Sequence, residues 1–341
     1  MTGSNFVFRH HEFVGSLSFN PQRLSSDCFF SVIVPTRTLD DRLFRSLYAL
    51  EIAQSELNTM ELILVLDLGS EYNLKLAEYQ ARLIEKNFPL LSGQILLLTR
   101  KPEFESSFLA ASARNAGASF ARGQCLLFLD HDVRINRDLL DEFRMKSAPK
   151  RVLNSSRLEK KWSSKREARY WLSAYESHGN IFEQPQGWKY FCSHSLCIQH
   201  EDWRTSGGFQ SDFLNYGHED TELGYRLAKS GFHFSFTKSK TYHDSPPHNP
   251  KLRRNEMLKS ASVFRRLHPE QDVVEFLSYL EVDSIWKLVR RQWTKRSVYF
   301  YYFFYRPLWE SWAFFTRKCI GRTPRFGLLK NSDYWSRGPR T

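Results

Sequence analysis

The residues best suited to chemistry are two aspartates, Asp130 and Asp132, which follow the apolar run QCLLFL and flank His131. Where the chain stays extended, carboxylates two residues apart point to the same side and offer hard oxygen ligands to Mg²⁺ or Mn²⁺. A divalent ion held there would neutralise the charge of a diphosphate leaving group. The same pattern is common in loops as a turn with two solvated acids, so its meaning depends on its surroundings.

The segments around this triplet predict an α/β fold. Continuous apolar runs indicate buried strands at 29–35, 62–66, 95–98 and 124–129. The segments between them are typical of helices at 74–86, at 106–121 and after Asp40 or Thr38, either of which can cap a helix. Strands that alternate with helices across short loops form a mostly parallel sheet with helices on both faces.

Ligands bind such sheets beyond the carboxyl ends of the strands. Pro35, Asp67 and Asp130 all lie at predicted carboxyl ends, so the fold is expected to gather them. The second half of the chain continues with a predicted strand at 191–198, a helix at 219–231 and a strand at 232–242 that leads to His243.

The composition is that of a globular protein of 341 residues, with 41% hydrophobic and 25% charged residues. This length allows one large domain with an appendage, or two domains. The net charge of +12 favours anionic partners, and from Glu281 to Thr341 there are thirteen Lys or Arg against four Asp or Glu.

The cysteine pattern and the apolar segments indicate a cytoplasmic protein. The five cysteines are scattered without zinc or redox spacing, which is typical of a reducing compartment. The N-terminus lacks the apolar core of a signal peptide, and no apolar stretch is long enough to span a membrane. Any membrane contact is therefore expected from one side.

Three segments of the chain resemble the inverting family-2 glycosyltransferases, which have the GT-A fold. They are FFSVIVPTRT, ASARNAGASFARGQCLLFLDHDVRIN and GGFQSDFLNYGHEDTELGYRLAKSG. The last segment also resembles the C-terminal motif of galactosyltransferases and chondroitin-polymerase-type enzymes. We accordingly divide the chain into a lead-in at 1–27, a GT-A domain at 28–250 and a helical, aromatic and basic extension at 251–341.

The resemblance implies a donor half of the site that binds a nucleotide-sugar and a metal. Asp132 would hold Mn²⁺ or Mg²⁺, Asp130 would lie near the ribose or the metal, and His243 would be a further ligand, with His248 as its alternative. The residues that the resemblance places around the nucleotide-sugar are Pro35, Thr36, Asp67, Arg114, Asn115, Asp130 and His131.

The resemblance also implies an acceptor half that carries the proton transfer. Inversion at the anomeric carbon needs one base to take the proton of the acceptor hydroxyl. Asp220 is assigned as this base, because a helix N-terminus stabilises a carboxylate as the anion. Glu219 and Gly208 are assigned to acceptor binding.

The function implied is transfer from a nucleoside-diphosphate sugar, a UDP-sugar, to a hydroxyl of a glycan or lipid-linked acceptor, in cell-surface polysaccharide or glycoconjugate synthesis. One departure concerns the donor, since the family often has two acids where this chain has Asp67-Leu68. A nucleotidyltransferase is disfavoured, because PTRTLDD stands where a glycine-rich phosphate loop is expected. A non-catalytic binding protein on the same fold is disfavoured by the complete set of acids.

Two basic segments leave alternatives open. The stretch 146–169 is either a solvated helix or loop, or a surface for an anionic acceptor. The extension either packs its aromatic rings on the core or docks on an anionic membrane, and nucleic-acid binding is the weaker alternative.

Overall fold

A single sheet organises the fold. The computed structural model describes residues 9–21, 27–37, 39–54, 60–67, 74–159, 186–244 and 250–278. Within these ranges nine strands lie in the order β1-β4-β3-β2-β5-β8-β7-β9-β6. The strands are β1 His11–Phe19, β2 Phe30–Thr36, β3 Met60–Asp67, β4 Gly93–Arg100, β5 Cys125–Leu129, β6 Val133–Arg134, β7 Arg151–Glu159, β8 Ser195–Gln199 and β9 His233–His243.

The helices connect these strands along the chain. Asp40 caps the first of them by accepting hydrogen bonds from the backbone N–H groups of Arg42 and Leu43. The described helices are α1 Asp41–Gln54, α2 Leu74–Asn87, α3 Ala110–Ser119, α4 Arg137–Lys146, α5 His200–Ser206, α6 Glu219–Lys229, α7 Pro250–Leu267 and α8 Gln271–Leu277.

The centre of the sheet is parallel, as the sequence predicted. β4, β3, β2 and β5 run in the same direction, with β3 on one side of β2 and β5 on the other. β2 and β3 are buried along their whole length, which explains their unbroken apolar runs. The strand order reverses between β2 and β5, so the crevice at their carboxyl ends is where such a fold binds ligands.

The second half of the sheet is mixed and returns the chain to that crevice. β8 runs antiparallel to β5, while β9 runs parallel to β7 and antiparallel to β6. β6 pairs Val133 with His243 and Arg134 with Tyr242. The end of β9 is therefore fixed beside the residues that follow β5.

Three strands were not predicted: the two-residue β6, β1 and β7. β1 lies within the expected lead-in, runs antiparallel to β4 and buries Phe19. β7 lies within 146–169, for which a solvated helix or loop was one of two alternatives, and that alternative is wrong for Arg151–Glu159. The buried centre of β7 is polar: Asn154 donates to the carbonyls of Cys192 and Ser195. Apolar periodicity cannot reveal a strand whose buried side chains are satisfied by hydrogen bonds.

The chain divides into two units, residues 1–267 and 268–341. The sheet and α1 to α7 belong to the first unit, and α8 is the described part of the second. The domain boundaries at 27 and 250 stay a prediction. Leu68, His248, most of the stretch 160–169 and the extension after Ser278 lie outside the described residues. No helix within the described ranges is long and apolar enough to cross a membrane.

Candidate active site

The crevice opens where β2 and β5 separate. Pairing between these strands ends at Ile33 and Phe128, although β2 continues through Pro35 to Thr36 beside β3. A proline has no N–H to donate, which suits a position where the ladder stops. Asp130, His131 and Asp132 form the turn that follows β5, at the mouth of this crevice.

A buried arginine links the two halves of the predicted site. Arg114 Nη2 donates to Asp130 Oδ1 at 2.6 Å, and its Nη1 lies 3.7 Å from Glu219 Oε1. Small residues allow α3 to pack closely on the sheet. A Cβ on Gly117, for example, would lie only 2.4 Å from the Ile33 side chain. The close packing of α3 on the sheet carries the Arg114 side chain to the end of β5. We call Arg114, Asp130, Glu219 and Asp220 the Arg114 cluster.

Burial and the shared arginine set different protonation states within the Arg114 cluster. Burial alone would raise the pKa of Asp130, but the charge and hydrogen bond of Arg114 lower it below its ordinary value. Burial, together with the charge of Asp220, raises the pKa of Glu219 to about 8. Burial also raises the pKa of Asp220, against the opposing charge of Arg114. At neutral pH, therefore, Asp130 is an anion and Glu219 holds a proton.

Asp220 is held at the start of α6 with its carboxylate partly exposed. Its Oδ1 accepts from the Thr221 N–H at 2.8 Å, and its Oδ2 lies 3.4 Å from the Ser193 N–H. Glu219, one residue earlier, is buried. Of the two adjacent acids, Asp220 is the one that a molecule in solution can reach.

Asp132 and His243 are brought together by the pairing of β6 with β9. Asp132 Oδ1 lies 3.2 Å from His243 Nε2, and the Asp132 carbonyl accepts from the Asp244 N–H. An oxygen and an imidazole nitrogen at this separation fit two ligands of one divalent ion. No group of three His, Cys, Asp or Glu residues in the described part of the chain is arranged to hold a metal. Asp130, which was predicted to lie near the ribose or the metal, binds Arg114.

His131, between the two aspartates, is half-buried. Its Nε2 is a buried atom with no hydrogen-bond partner among the described residues. A buried polar nitrogen without a partner costs free energy, which a ligand group at this position would recover.

Asn115 and Gly208 form a structural clamp rather than an open binding surface. The Asn115 amide donates to the Phe209 carbonyl at 2.8 Å and accepts from the Phe209 N–H at 3.0 Å. Gly208 has a φ of +68° and is buried, and a Cβ there would lie 2.8 Å from Asn115 Oδ1. Arg226 also donates to the carbonyls of Ser206 and Gly208. We call Gly207-Gly208 the glycine turn.

Asp67 is paired within the protein. Arg100 donates to both of its oxygens, with Nε 2.8 Å from Oδ1 and Nη2 2.5 Å from Oδ2. His11 Nε2 lies 3.5 Å from Oδ1. Burial opposes ionisation, but the hydrogen bonds from Arg100 and His11 hold the pKa of Asp67 well below its usual range. The remaining nitrogen of Arg100 donates to the carbonyls of Glu105 and Ser107, which places the approach to α3.

Three arginines near these residues were not singled out from the sequence. Arg42 Nη1 lies 4.0 Å from Asp132 Oδ2, Arg100 holds Asp67, and Arg226 holds the glycine turn. Arg226 also forms an i,i+4 ion pair with Glu222 in α6, with Nε 2.7 Å from Oε1. Its spacing gave no sign of the contacts that Arg226 makes with the glycine turn, because those contacts join distant parts of the chain.

The family comparison matches this part of the chain. A family model described as the N-terminal domain of galactosyltransferase matches residues 180–248, which contain Gly208, Glu219, Asp220 and His243. No curated protein matches the chain in sequence.

Solved structures share the fold. The mannosyltransferase PcManGT from Pyrobaculum calidifontis, in complex with GDP-Man and Mn²⁺, has a TM-score of 0.55 at 15% identity, over 80% of this chain and 74% of its own. GalNAc-T7 with UDP, GalNAc and Mn²⁺ has a TM-score of 0.51 at 14% identity, over 74% of this chain and 50% of its own. The chain thus spans about half the length of GalNAc-T7. The sequence-based prediction of a GT-A fold is confirmed, and the match of residues 180–248 to a galactosyltransferase family model agrees with the predicted class of enzyme.

Proposed function

We propose that the protein transfers a sugar from a nucleoside-diphosphate sugar, a UDP-sugar, to a hydroxyl of a glycan or lipid-linked acceptor, with inversion at the anomeric carbon. The observation that carries the proposal is the Arg114 cluster. It sets a partly exposed carboxylate, Asp220, beside the turn that follows β5 at the switch point of the sheet. The nucleotide and Mn²⁺ in the PcManGT and GalNAc-T7 complexes support a nucleotide donor and a divalent ion.

Asp132 and His243 are the residues that would hold the ion, with Asp130 as a further ligand once it exchanges its contact with Arg114. An ion bound there would supply charge to stabilise the leaving diphosphate. Arg114 would then also stabilise the negative charge of the leaving diphosphate. His131 Nε2 would donate to or accept from the ribose.

In the proposed reaction Asp220 accepts the proton of the acceptor hydroxyl as that oxygen attacks the anomeric carbon. Ser193 and Thr221 donate to its carboxylate and fix its orientation. Glu219 holds a proton and is available to orient the acceptor by a hydrogen bond. Pro35 and Thr36 border the nucleotide at the end of β2. Asp67, Asn115 and Gly208 are proposed as positioning residues, because their polar groups are already engaged within the fold.

The cellular setting is part of the same proposal. We place the reaction in cell-surface polysaccharide or glycoconjugate synthesis, on the cytoplasmic side of a membrane. Peripheral contact with anionic lipid through the extension 251–341 would bring the enzyme to a lipid-linked acceptor. Its aromatic and basic residues after Ser278 lie outside the described part of the chain.

The decisive test is the Asp220→Asn variant. Its amide cannot accept the proton, so we expect transfer to fall by at least about a hundredfold, which is the usual contribution of a general base. Binding of the UDP-sugar, measured by calorimetry with Mn²⁺ present, should stay within about twofold of wild type. Asp138→Asn, an exposed acid in the first turn of α4, is the control. Retained turnover in Asp220→Asn, or loss of donor binding with it, would reject this role for Asp220.

A further inference from the structure

Each aspartate of the turn that follows β5 has an arginine beside it. Arg114 of α3 donates to Asp130. Arg42, in the first turn of α1, has its Nη1 4.0 Å from Asp132 Oδ2. The other oxygen of Asp132, Oδ1, lies 3.2 Å from His243 Nε2, and these two groups are the ones that would hold the divalent ion. Arg42 therefore lies next to the proposed position of the ion, at the second oxygen of the same carboxylate.

Two of the three guanidinium nitrogens of Arg42 are held by Asp40. Nε donates to Asp40 Oδ2 at 3.0 Å, and Nη2 donates to the same oxygen. The other oxygen of Asp40 caps α1. These contacts fix the plane of the guanidinium group at the start of the helix. A group that is already held in one orientation loses little conformational entropy when it binds a ligand.

The third nitrogen of Arg42, Nη1, is a buried donor. It has no hydrogen-bond partner among the described residues, since Asp132 Oδ2 at 4.0 Å is too distant for a hydrogen bond. A buried donor without an acceptor costs free energy, which an oxygen atom of a bound ligand would recover. The Arg42 side chain as a whole is 25% exposed, so the group borders on solvent.

The charged side chains that pair with one another around Asp132 are balanced. Three arginines face three aspartates, which are Arg42, Arg45 and Arg134 against Asp40, Asp132 and Asp244. A divalent ion bound by Asp132 and a neutral His243 would add two positive charges to this set. The guanidinium of Arg42 would repel that ion. A ligand that stabilises both must be an anion with several oxygen atoms, and a diphosphate is such an anion.

We infer that Arg42 binds the diphosphate of the donor, together with the ion held by Asp132 and His243. In this arrangement Nη1 donates to a phosphate oxygen while Nε and Nη2 keep their bonds to Asp40. The inference rests on the proposed function and adds a binding residue from outside the three segments that resemble a known family. Two simpler roles are alternatives. Arg42 is then only the structural partner of Asp40, or only a counter-charge for Asp132 until the ion binds.

The test uses the full-length protein, the variant Arg42→Gln, and UDP and Mn²⁺ as probes. Calorimetry gives the Kd for UDP at saturating Mn²⁺, and electron paramagnetic resonance gives the Kd for Mn²⁺ alone. We expect the Kd for UDP to rise about tenfold to thirtyfold, the effect of losing one charge-assisted hydrogen bond. The Kd for Mn²⁺ alone should stay the same or fall, because the variant removes a positive charge beside the ion.

Two further variants support the comparison. Arg42→Lys keeps the charge but not the geometry of the guanidinium group, so its Kd for UDP should rise about threefold to tenfold. It also decides the question if circular dichroism shows that Arg42→Gln is unfolded. Arg45→Gln removes a positive charge one turn later on the same helix, from a side chain that is 52% exposed and pairs with Asp244. As the matched control it should keep the Kd for UDP within about threefold of wild type.

Three results would overturn the inference. An unchanged Kd for UDP in the Arg42 variants would mean that Arg42 only neutralises Asp132. Weaker binding of both UDP and Mn²⁺ would mean that Arg42 acts only as a structural partner. An equal loss of UDP affinity in Arg45→Gln would mean that the effect comes from overall charge.

Pyrophosphate with Mn²⁺ separates this inference from the proposed function. If the wild type binds pyrophosphate, Arg42→Gln weakens that binding and UDP does not bind, then the proposed function fails and the diphosphate site stands. If UDP binds equally well to the wild type and to Arg42→Gln, only the role of Arg42 fails. If the wild type binds neither probe, both fail.

Discussion

Glu219 and Asp220 are adjacent acids with different surroundings. Glu219 is buried within 3.7 Å of Arg114, yet desolvation and the charge of Asp220 outweigh that attraction and raise its pKa to about 8. Asp220 is partly exposed to solvent, and its carboxylate accepts hydrogen bonds from the backbone N–H groups of Ser193 and Thr221. Burial raises the pKa of Asp220 as well, so the two acids differ in their exposure and in their hydrogen-bond partners.

The raised pKa of Glu219 predicts a pH dependence of stability. An unfolded glutamate loses its proton near pH 4.3, whereas the folded protein keeps it up to about pH 8. Between these values the native state binds more protons, so stability falls as pH rises, by up to about 1.4 kcal/mol per pH unit. Urea unfolding at pH 5, 6, 7 and 8 measures this slope, and Glu219→Gln should flatten it. Glu201→Gln, an exposed acid on α5, should keep the wild-type slope. An equal slope in Glu219→Gln and wild type would contradict the assignment.

At the scale of elements, two clamps hold α3 and α6 against the glycine turn. Asn115 of α3 holds the Phe209 backbone, and Arg226 of α6 holds the carbonyls of Ser206 and Gly208. Both helices also carry members of the Arg114 cluster. A change in the glycine turn should therefore shift the charged side chains of the Arg114 cluster.

The two glycines of the turn form a matched pair for a test. Both have positive φ, +77° for Gly207 and +68° for Gly208. A Cβ on Gly207 meets nothing within 4 Å, whereas one on Gly208 meets Asn115 Oδ1 at 2.8 Å. Gly207→Ala should cost about 1 kcal/mol in the free energy of unfolding, from the left-handed backbone alone. Gly208→Ala should cost about 1–3 kcal/mol more, since the clamped amide must move. If urea unfolding gave equal losses of unfolding free energy for the two variants, the Asn115 side chain would be shown to move aside without a loss of stability.

At the scale of the whole molecule, the N-terminal strand completes the sheet. β1 covers the outer edge of β4, buries Phe19 in the main core and carries His11 to the Asp67 pair. Residues 11–19 therefore belong to the folded unit that holds the site, although they precede every segment that resembled a known family.

Two phenylalanines of β1 test this. Phe19 is 1% exposed and Phe13 is 41% exposed. Phe19→Ala should lower the free energy of unfolding by about 3–5 kcal/mol, the usual cost of removing a buried phenyl ring. Phe13→Ala should change it by less than about 1 kcal/mol. Thermal or urea unfolding compares the two, and a small loss in Phe19→Ala would mean that β1 contributes little to the core.

The sequence by itself determined the central sheet and the positions of the acids along it. The central parallel strands are buried on both faces, which requires continuous apolar runs in the sequence. The sequence also shows that Asp130 and Asp132 directly follow one of these runs. Glu219-Asp220 at the start of α6 followed from local helix signals in the same way. Local sequence also limited the cap of α1 to Asp40 or Thr38, because a cap contacts only its nearest neighbours, and the structure shows that Asp40 is the cap.

Only the tertiary structure decided which polar groups meet. That Asp130 binds Arg114, that Asp67 binds Arg100 and that Asp132 faces His243 are contacts between distant segments. Apolar periodicity carries no information about these contacts, because the position of a charged residue in the sequence is the same whether its side chain binds a ligand or another side chain. β7 escaped prediction for a related physical reason, because its buried polar side chains are satisfied by hydrogen bonds across the sheet.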